Sequence, residues 1–139
     1  MTVSLTVSRT FEAAPEAVFD AWLDPKRASR FLFATPDGQM IRAEIDARVG
    51  GKFCFVDRRP GMGDVEHVGE YLEIDRPRRL VFTFGVPQFS KDFTTVTVAI
   101  TPKGPGCELV LTHEGVYPDM REQTAKGWGM ILEGLGKAL

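Results

Sequence analysis

The sequence predicts an α+β fold in which a curved, seven-stranded antiparallel sheet wraps around a long C-terminal helix, in the order β-α-α-β-β-β-β-β-β-α. Three observations lead there. Apolar residues alternate with polar ones over residues 2–11 and again, in successive runs, from Met40 to His113, the period of half-buried strands. Two short amphipathic segments, each opened by a proline, separate the first strand from the rest. From Asp119 to Leu139 the period changes to that of a helix.

In the first strand Val3, Leu5, Val7 and Phe11 share one face, and Thr2, Ser4, Thr6, Ser8 and Thr10 the other. Arg9 falls on the apolar face by parity. Either its long side chain snorkels out at a strand end, or it holds a cation over a cavity. Ala14-Pro15 starts a helix carrying Val18, Phe19, Trp22 and Leu23. Asp24-Pro25, as cap and first turn, starts a second that runs to about residue 31 or 32. Ile41, Ala43, Ile45 and Ala47 then alternate with Arg42, Glu44 and Asp46, and Gly50-Gly51 turns the chain into a strand with Phe53 and Phe55 on one face.

Asp57 to Glu66, with Pro60-Gly61 and Gly63-Asp64, reads as a loop. The strand from His67 to Ile74 is ambiguous: His67 and Tyr71 share one face, while Val68, Leu72 and Ile74 argue for the other. Leu80, Phe82 and Phe84 share a face in the next strand, and residues 86–93 connect it to one with Val96, Val98 and Ile100. Pro102 to Gly106 is a tight hairpin, and Leu109, Leu111 and His113 share parity in the last strand.

In the terminal helix Ile131, Leu132, Leu135 and Leu139 follow Trp128 at +3, +4, +7 and +11, one helical stripe, with Lys126, Glu133 and Lys137 opposite. Asp119 and Glu122 form the pattern of a capping box. Four glycines flank the stripe: Gly127 and Gly134 on one side, Gly129 and Gly136 on the other. Each costs about 1 kcal/mol against alanine in a helix interior. Bare shoulders let neighbouring elements approach, make room for a ligand, or let the helix open as a gate.

A chain of this length fits one domain, residues 1–139, with a core of its own. The net charge of -2 argues against a broad nucleic-acid surface. No apolar run is long enough to span a bilayer or to act as a signal peptide, so a cytoplasmic location is expected. Cys54 and Cys107 have no metal-type spacing and read as free thiols, and neither a metal nor a cofactor is expected.

The series Val7-Ser8-Arg9, Ala14-Pro15-Glu16-Ala17-Val18-Phe19, Asp24-Pro25, Phe33 with Thr35-Pro36, Val49-Gly50-Gly51, His67-Val68-Gly69-Glu70-Tyr71, Arg79-Leu80-Val81-Phe82-Thr83, Leu111-Thr112-His113-Glu114-Gly115 and Gly127-Trp128 runs in order through nearly the whole chain. It resembles the single-domain bacterial proteins homologous to the C-terminal domain of the activator of the heat-shock-protein-90 ATPase, within the START and birch-pollen-allergen helix-grip superfamily. One departure is Phe31-Leu32, where that family tends to carry tryptophan. The resemblance implies a helix-grip fold with a cavity between sheet and C-terminal helix, and no shared catalytic residue.

A helix lying across a curled sheet leaves volume beneath it. The residues expected to line it are Trp22, Phe31, Phe33, Phe53, Phe55, Phe82, Phe84, Trp128, Ile131, Leu132 and Leu135, with His113 facing inward and Arg121 and Thr124 at the mouth. The expected partner is an apolar or amphipathic small molecule. The resemblance to an ATPase activator implies an alternative, a co-chaperone-like interaction module with a chaperone as partner, for which the exposed apolar candidates are Met62, Phe89 and Met130. A cyclase or hydrolase using the same cavity, which the resemblance also admits, ranks below both, since Glu114 points to the opposite face from His113 and nothing else has the spacing of a triad.

Overall fold

The computed structural model describes residues 1–139. Its elements are β1 (Val3–Phe11), α1 (Pro15–Leu23), α2 (Pro25–Phe31), β2 (Gln39–Ile45), β3 (Lys52–Arg59), β4 (Gly63–Asp75), β5 (Arg79–Phe84), β6 (Thr94–Lys103), β7 (Gly106–Val116) and, after a 3-10 turn at Pro118–Met120, α3 (Arg121–Ala138). The strands form one antiparallel sheet in the order β1-β7-β6-β5-β4-β3-β2. Strands β2 to β7 meander, and β1 joins the far edge beside β7. Because β1 and β2 lie on opposite edges, α1 and α2 must carry the chain across the sheet between them.

Local chemistry explains the boundaries. Pro15 and Pro25 occupy the first turns of α1 and α2, and the Asp24 side chain caps α2 by accepting from the Lys26 amide. The inner sheet face carries Phe53, Phe55, Leu80, Phe82, Val96, Val98, Leu109 and Leu111, against which Trp128, Leu132 and Leu135 of α3 are buried. No helix is long and apolar enough to cross a membrane.

Four local expectations are corrected. The stretch read as a loop over 57–66 is largely strand: β3 runs to Arg59, β4 starts at Gly63, and Gly61 and Gly63 take φ of 77° and 78° at the turn. Asp57 and Arg59 resemble loop residues because they are charged, but they pair with each other along the inner face. In β2 the register shifts between Met40 and Arg42, so Met40 packs on the core and Ile41 is exposed. That strand stops at Ile45, short of Ala47. The Asp119 capping box does not form, because the 3-10 turn draws Asp119 into helical backbone and leaves Met120 at the N-cap with no side-chain bond. The ambiguity of β4 resolves with His67 and Tyr71 buried inward and Leu72 exposed beside a register shift. Arg9, near the end of β1, is exposed.

Gly69 marks the tightest approach within the sheet. A Cβ there would overlap the Thr83 carbonyl oxygen and lie 2.6 Å from the Phe53 ring. Gly69→Ala is therefore expected to destabilise the fold by about 3 kcal/mol through overpacking. Denaturant titration measures it, and an unchanged midpoint would show that β4 and β5 have room to separate.

Candidate functional site

A cleft of about 500 Å³ lies between α3 and the end of α2 with the segment that follows it. One wall is Phe31, Phe33, Ala34, Thr35 and Pro36, and the other is Thr124, Gly127, Trp128, Met130, Ile131 and Gly134 of α3. Phe84, His67 and Arg59 close its base and Arg30 stands at its side. Volumes of this order suit small organic ligands.

Phe33 shapes the base. It takes φ of 60°, the left-handed region that non-glycine residues avoid, at a cost of roughly 1–3 kcal/mol. The conformation lays its ring parallel to both His67 (centroids 4.7 Å apart) and Phe84 (4.9 Å), with Trp128 edge-on at 6.0 Å. Stacking of this kind offsets part of the backbone strain.

Below the rings is a polar cluster. Arg59 donates from Nε to Asp57 Oδ2 at 2.9 Å and from Nη2 to the Phe33 carbonyl at 3.3 Å. Thr35 Oγ1 also donates to Asp57 Oδ2, at 2.8 Å. The Asp57 carboxylate is fully buried, and its Oδ1 has no partner. His67 Nδ1 faces the Phe55 carbonyl at 3.3 Å and must donate to it, which leaves Nε2 to accept from Arg59 Nη2 at 3.4 Å. His67 is thus neutral, and burial first, then the Arg59 charge, lowers its pKa to about 4.

A second polar chain runs from helix to sheet. Trp128 Nε1 donates to His113 Nδ1 at 2.9 Å. Indole can only donate, so His113 carries its proton on Nε2 and donates to Thr94 Oγ1 at 2.6 Å. Thr94 in turn donates to the Phe84 carbonyl at 3.1 Å. Every polar hydrogen in the chain has one acceptor, and burial lowers the His113 pKa to about 4. Both histidines have both nitrogens engaged, so they hold rings in place while the charge at the base belongs to Arg59; neither has a free nitrogen with which to take a substrate proton. No three His, Cys, Asp or Glu side chains converge as a metal would require.

The sequence profile of the activator of Hsp90 ATPase homolog 1-like proteins matches residues 12–139. The chain belongs to this family. No curated protein matches the sequence. Among solved structures, protein CV1439 from Chromobacterium violaceum superposes with a TM-score of 0.87 at 25% identity, over 96% of this chain and 94% of that one. An AHSA1-like protein from Aeromonas hydrophila gives 0.84 at 24% identity, over 98% and 91%. Protein SA2116 from Staphylococcus aureus gives 0.89 at 14% identity, over 99% and 93%. The seven-stranded sheet gripping a C-terminal helix is the helix-grip fold.

On this AHSA1-like framework the residues singled out from sequence fall in four places. Phe31, Phe33, Phe84, Trp128 and Ile131 line the cleft, as does Thr124. Trp22, Phe53, Phe55, Phe82, Leu132 and Leu135 lie in the core behind it. His113 is one layer back, holding Trp128. Arg121 is exposed and donates to the Ser4 carbonyl at 3.3 Å, tying the start of α3 to β1. The polar cluster is the part that sequence reasoning misses. Its signal is parity, since Phe53, Phe55, Asp57 and Arg59 fall on one side of a continuous strand.

The two histidines give stability a pH dependence with a definite sign. The unfolded chain protonates them near the ordinary value of 6.5 and the folded chain only near 4, so between those values the unfolded state binds more protons. The neutral-imidazole contribution is complete above about pH 6.5 and is lost as the pH falls toward 4, by roughly 3 kcal/mol for each histidine. Denaturant titrations across this range measure the slope. His113→Gln, whose amide oxygen can still accept from Trp128, is expected to halve it; an unaltered slope would mean that His113 protonates in the fold without penalty.

Proposed function

We propose that this protein binds an apolar or amphipathic small molecule in the cleft between α3 and the Phe31–Pro36 segment. The observation that carries the reading is the aromatic base of that cleft, where Phe33 is held in a costly backbone conformation to stack on His67 and Phe84. Strain of this kind collects at ligand-holding sites. The cleft's size, its mainly apolar walls and its few convergent polar groups fit the same reading. A protein-interaction role would draw on the exposed Met62, Phe89 and Met130, but these sit on the β3–β4 turn, the β5–β6 connection and α3, and Met130 itself lines the cleft. The cleft is therefore the better-supported site.

Gly127 offers a direct test. It lines the cleft, and a Cβ there would meet nothing within 4 Å. Gly127→Leu is expected to raise stability by about 1 kcal/mol through helix propensity while filling the cleft and abolishing ligand uptake. Native mass spectrometry of freshly purified protein, and changes in Trp128 emission in a Trp22→Phe background on adding a panel of apolar compounds, give the readouts. A Gly127→Leu variant that still takes up the same compounds would place binding elsewhere. Amide exchange along α3 examines the gate: protection from Trp128 to Leu135 is expected to fall below that of the core strands, and uniform core-level protection would exclude opening of the helix.

A further inference from the structure

The geometry points to an amphipathic monoanion, an apolar body bearing one carboxylate, as the class of molecule the cleft takes, with Arg59 as the residue that selects it. The inference rests on the cleft-binding reading above and adds the head group.

The charges around the cleft are unbalanced. Arg30 and Arg59 line it, and no carboxylate does. Asp57 lies behind the lining and neutralises one guanidinium, which leaves one positive charge in excess. Arg30 is exposed and makes no ion pair. Arg59 is different, with its side chain only 22% exposed. Asp57, the Phe33 carbonyl and His67 hold its Nε and Nη2, so the orientation of the guanidinium is fixed. The Nη1 amino group makes no bond within the protein and is not buried.

A purely apolar ligand covering this corner would strip water from the free N–H groups and return no acceptor, and a hydroxyl would return only a neutral, weaker one, a cost that works against binding. A carboxylate would supply the acceptor, and a charge-assisted bond in a partly dry site is stronger than one in water. The excess charge, on exposed Arg30, adds a salt-screened attraction for an anion, and the oriented Nη1 of Arg59 supplies the directed bond that selects the carboxylate. A quaternary amine of the same chain length would meet two guanidinium groups and be refused. The apolar part has Phe31, Ile131 and Met130 to lie against. Asp57 acts here as a positioning residue, since its bond to Nε turns Nη1 outward.

The test compares decanoate, decanol, decyltrimethylammonium and decyl phosphate, each below its micelle concentration, by calorimetry on the full chain. Decanoate is expected to bind at least about tenfold more tightly than decanol, to weaken with added salt, and to exceed decyl phosphate; the quaternary amine is expected not to bind. Arg59→Met alone would leave Asp57 buried without its partner, so the variant of choice is Asp57→Asn with Arg59→Met. It is expected to retain decanol binding and lose the preference for decanoate. Arg30→Met, on an exposed residue, is expected to reduce the salt dependence and keep most of the preference. Equal affinity for decanol and decanoate in the unaltered protein, a preference that survives the double variant, or tighter binding of decyl phosphate would each overturn the assignment. If decanol binds without discrimination, the cleft remains a ligand site and only the anion is withdrawn. If none of the four binds, the cleft reading itself falls and the anion with it.

Discussion

The hydrogen bond from Trp128 Nε1 to His113 Nδ1 sets how the long helix sits on the sheet. The Arg121 bond to the Ser4 carbonyl is exposed, and the buried contacts of Leu132 and Leu135 across that interface are apolar and tolerate a degree of sliding. A buried donor and acceptor do not, because a small rotation of the helix would leave both unpaired with no water to replace them. The constraint passes on through Thr94 to the Phe84 carbonyl, so one chain of bonds reaches from α3 across β7 and β6 to β5. With the rotation of α3 fixed, Gly127, Ile131 and Gly134 face the cleft. The shape of the site follows from a bond one layer behind it.

The two polar assemblies use histidine in complementary tautomers. His113 accepts at Nδ1 and donates at Nε2, whereas His67 donates at Nδ1 and accepts at Nε2. Each tautomer is dictated by a partner with only one possible role, an indole or guanidinium that must donate and a carbonyl that must accept. Phe33 packs directly above one assembly and beside the other, touching His67 face-on and Trp128 edge-on. Its left-handed backbone persists because both sides over-determine it.

Periodicity carries the architecture from sequence to structure. Alternation names the strands, the stripe behind Trp128 names the gripping helix, and the proline-initiated segments name the helices between the first two strands. Parity also assigns faces, which is why Phe84 is recognisable, while Trp128 is read from the helical stripe and Phe33, in the turn after α2, only from the motif it forms with Thr35-Pro36. It says nothing of depth along a face, so Phe55, Phe82 and Leu135, which close the core, cannot be told from their neighbours that line the cleft. Three signals mislead for physical reasons. Charged Asp57 and Arg59 next to Pro60-Gly61 imitate a loop when they are in fact an inward ion pair at a strand end. The register shift in β2 inverts the facing of Met40 and Ile41 with no mark in the local pattern. And Arg121, in line with the apolar stripe, stands exposed on the first turn of α3 and bonds to the Ser4 carbonyl of β1 instead of lining the cleft.

Gly127 and Gly134 stand two turns apart on the same side of α3, and their surroundings are opposite. A Cβ at Gly134 would come within 3.1 Å of the Phe31 Cβ, whereas one at Gly127 would meet open space. Helix α3 and the end of α2 therefore meet like the blades of scissors, with Phe31–Gly134 as the pivot and the Trp128 end as the gape. A scissor couples a small change at the pivot to a larger one at the tips. Side-chain volume at position 134 is then the adjustment screw for the whole opening: a larger residue there would push the blades apart and widen the gape while leaving the aromatic floor intact.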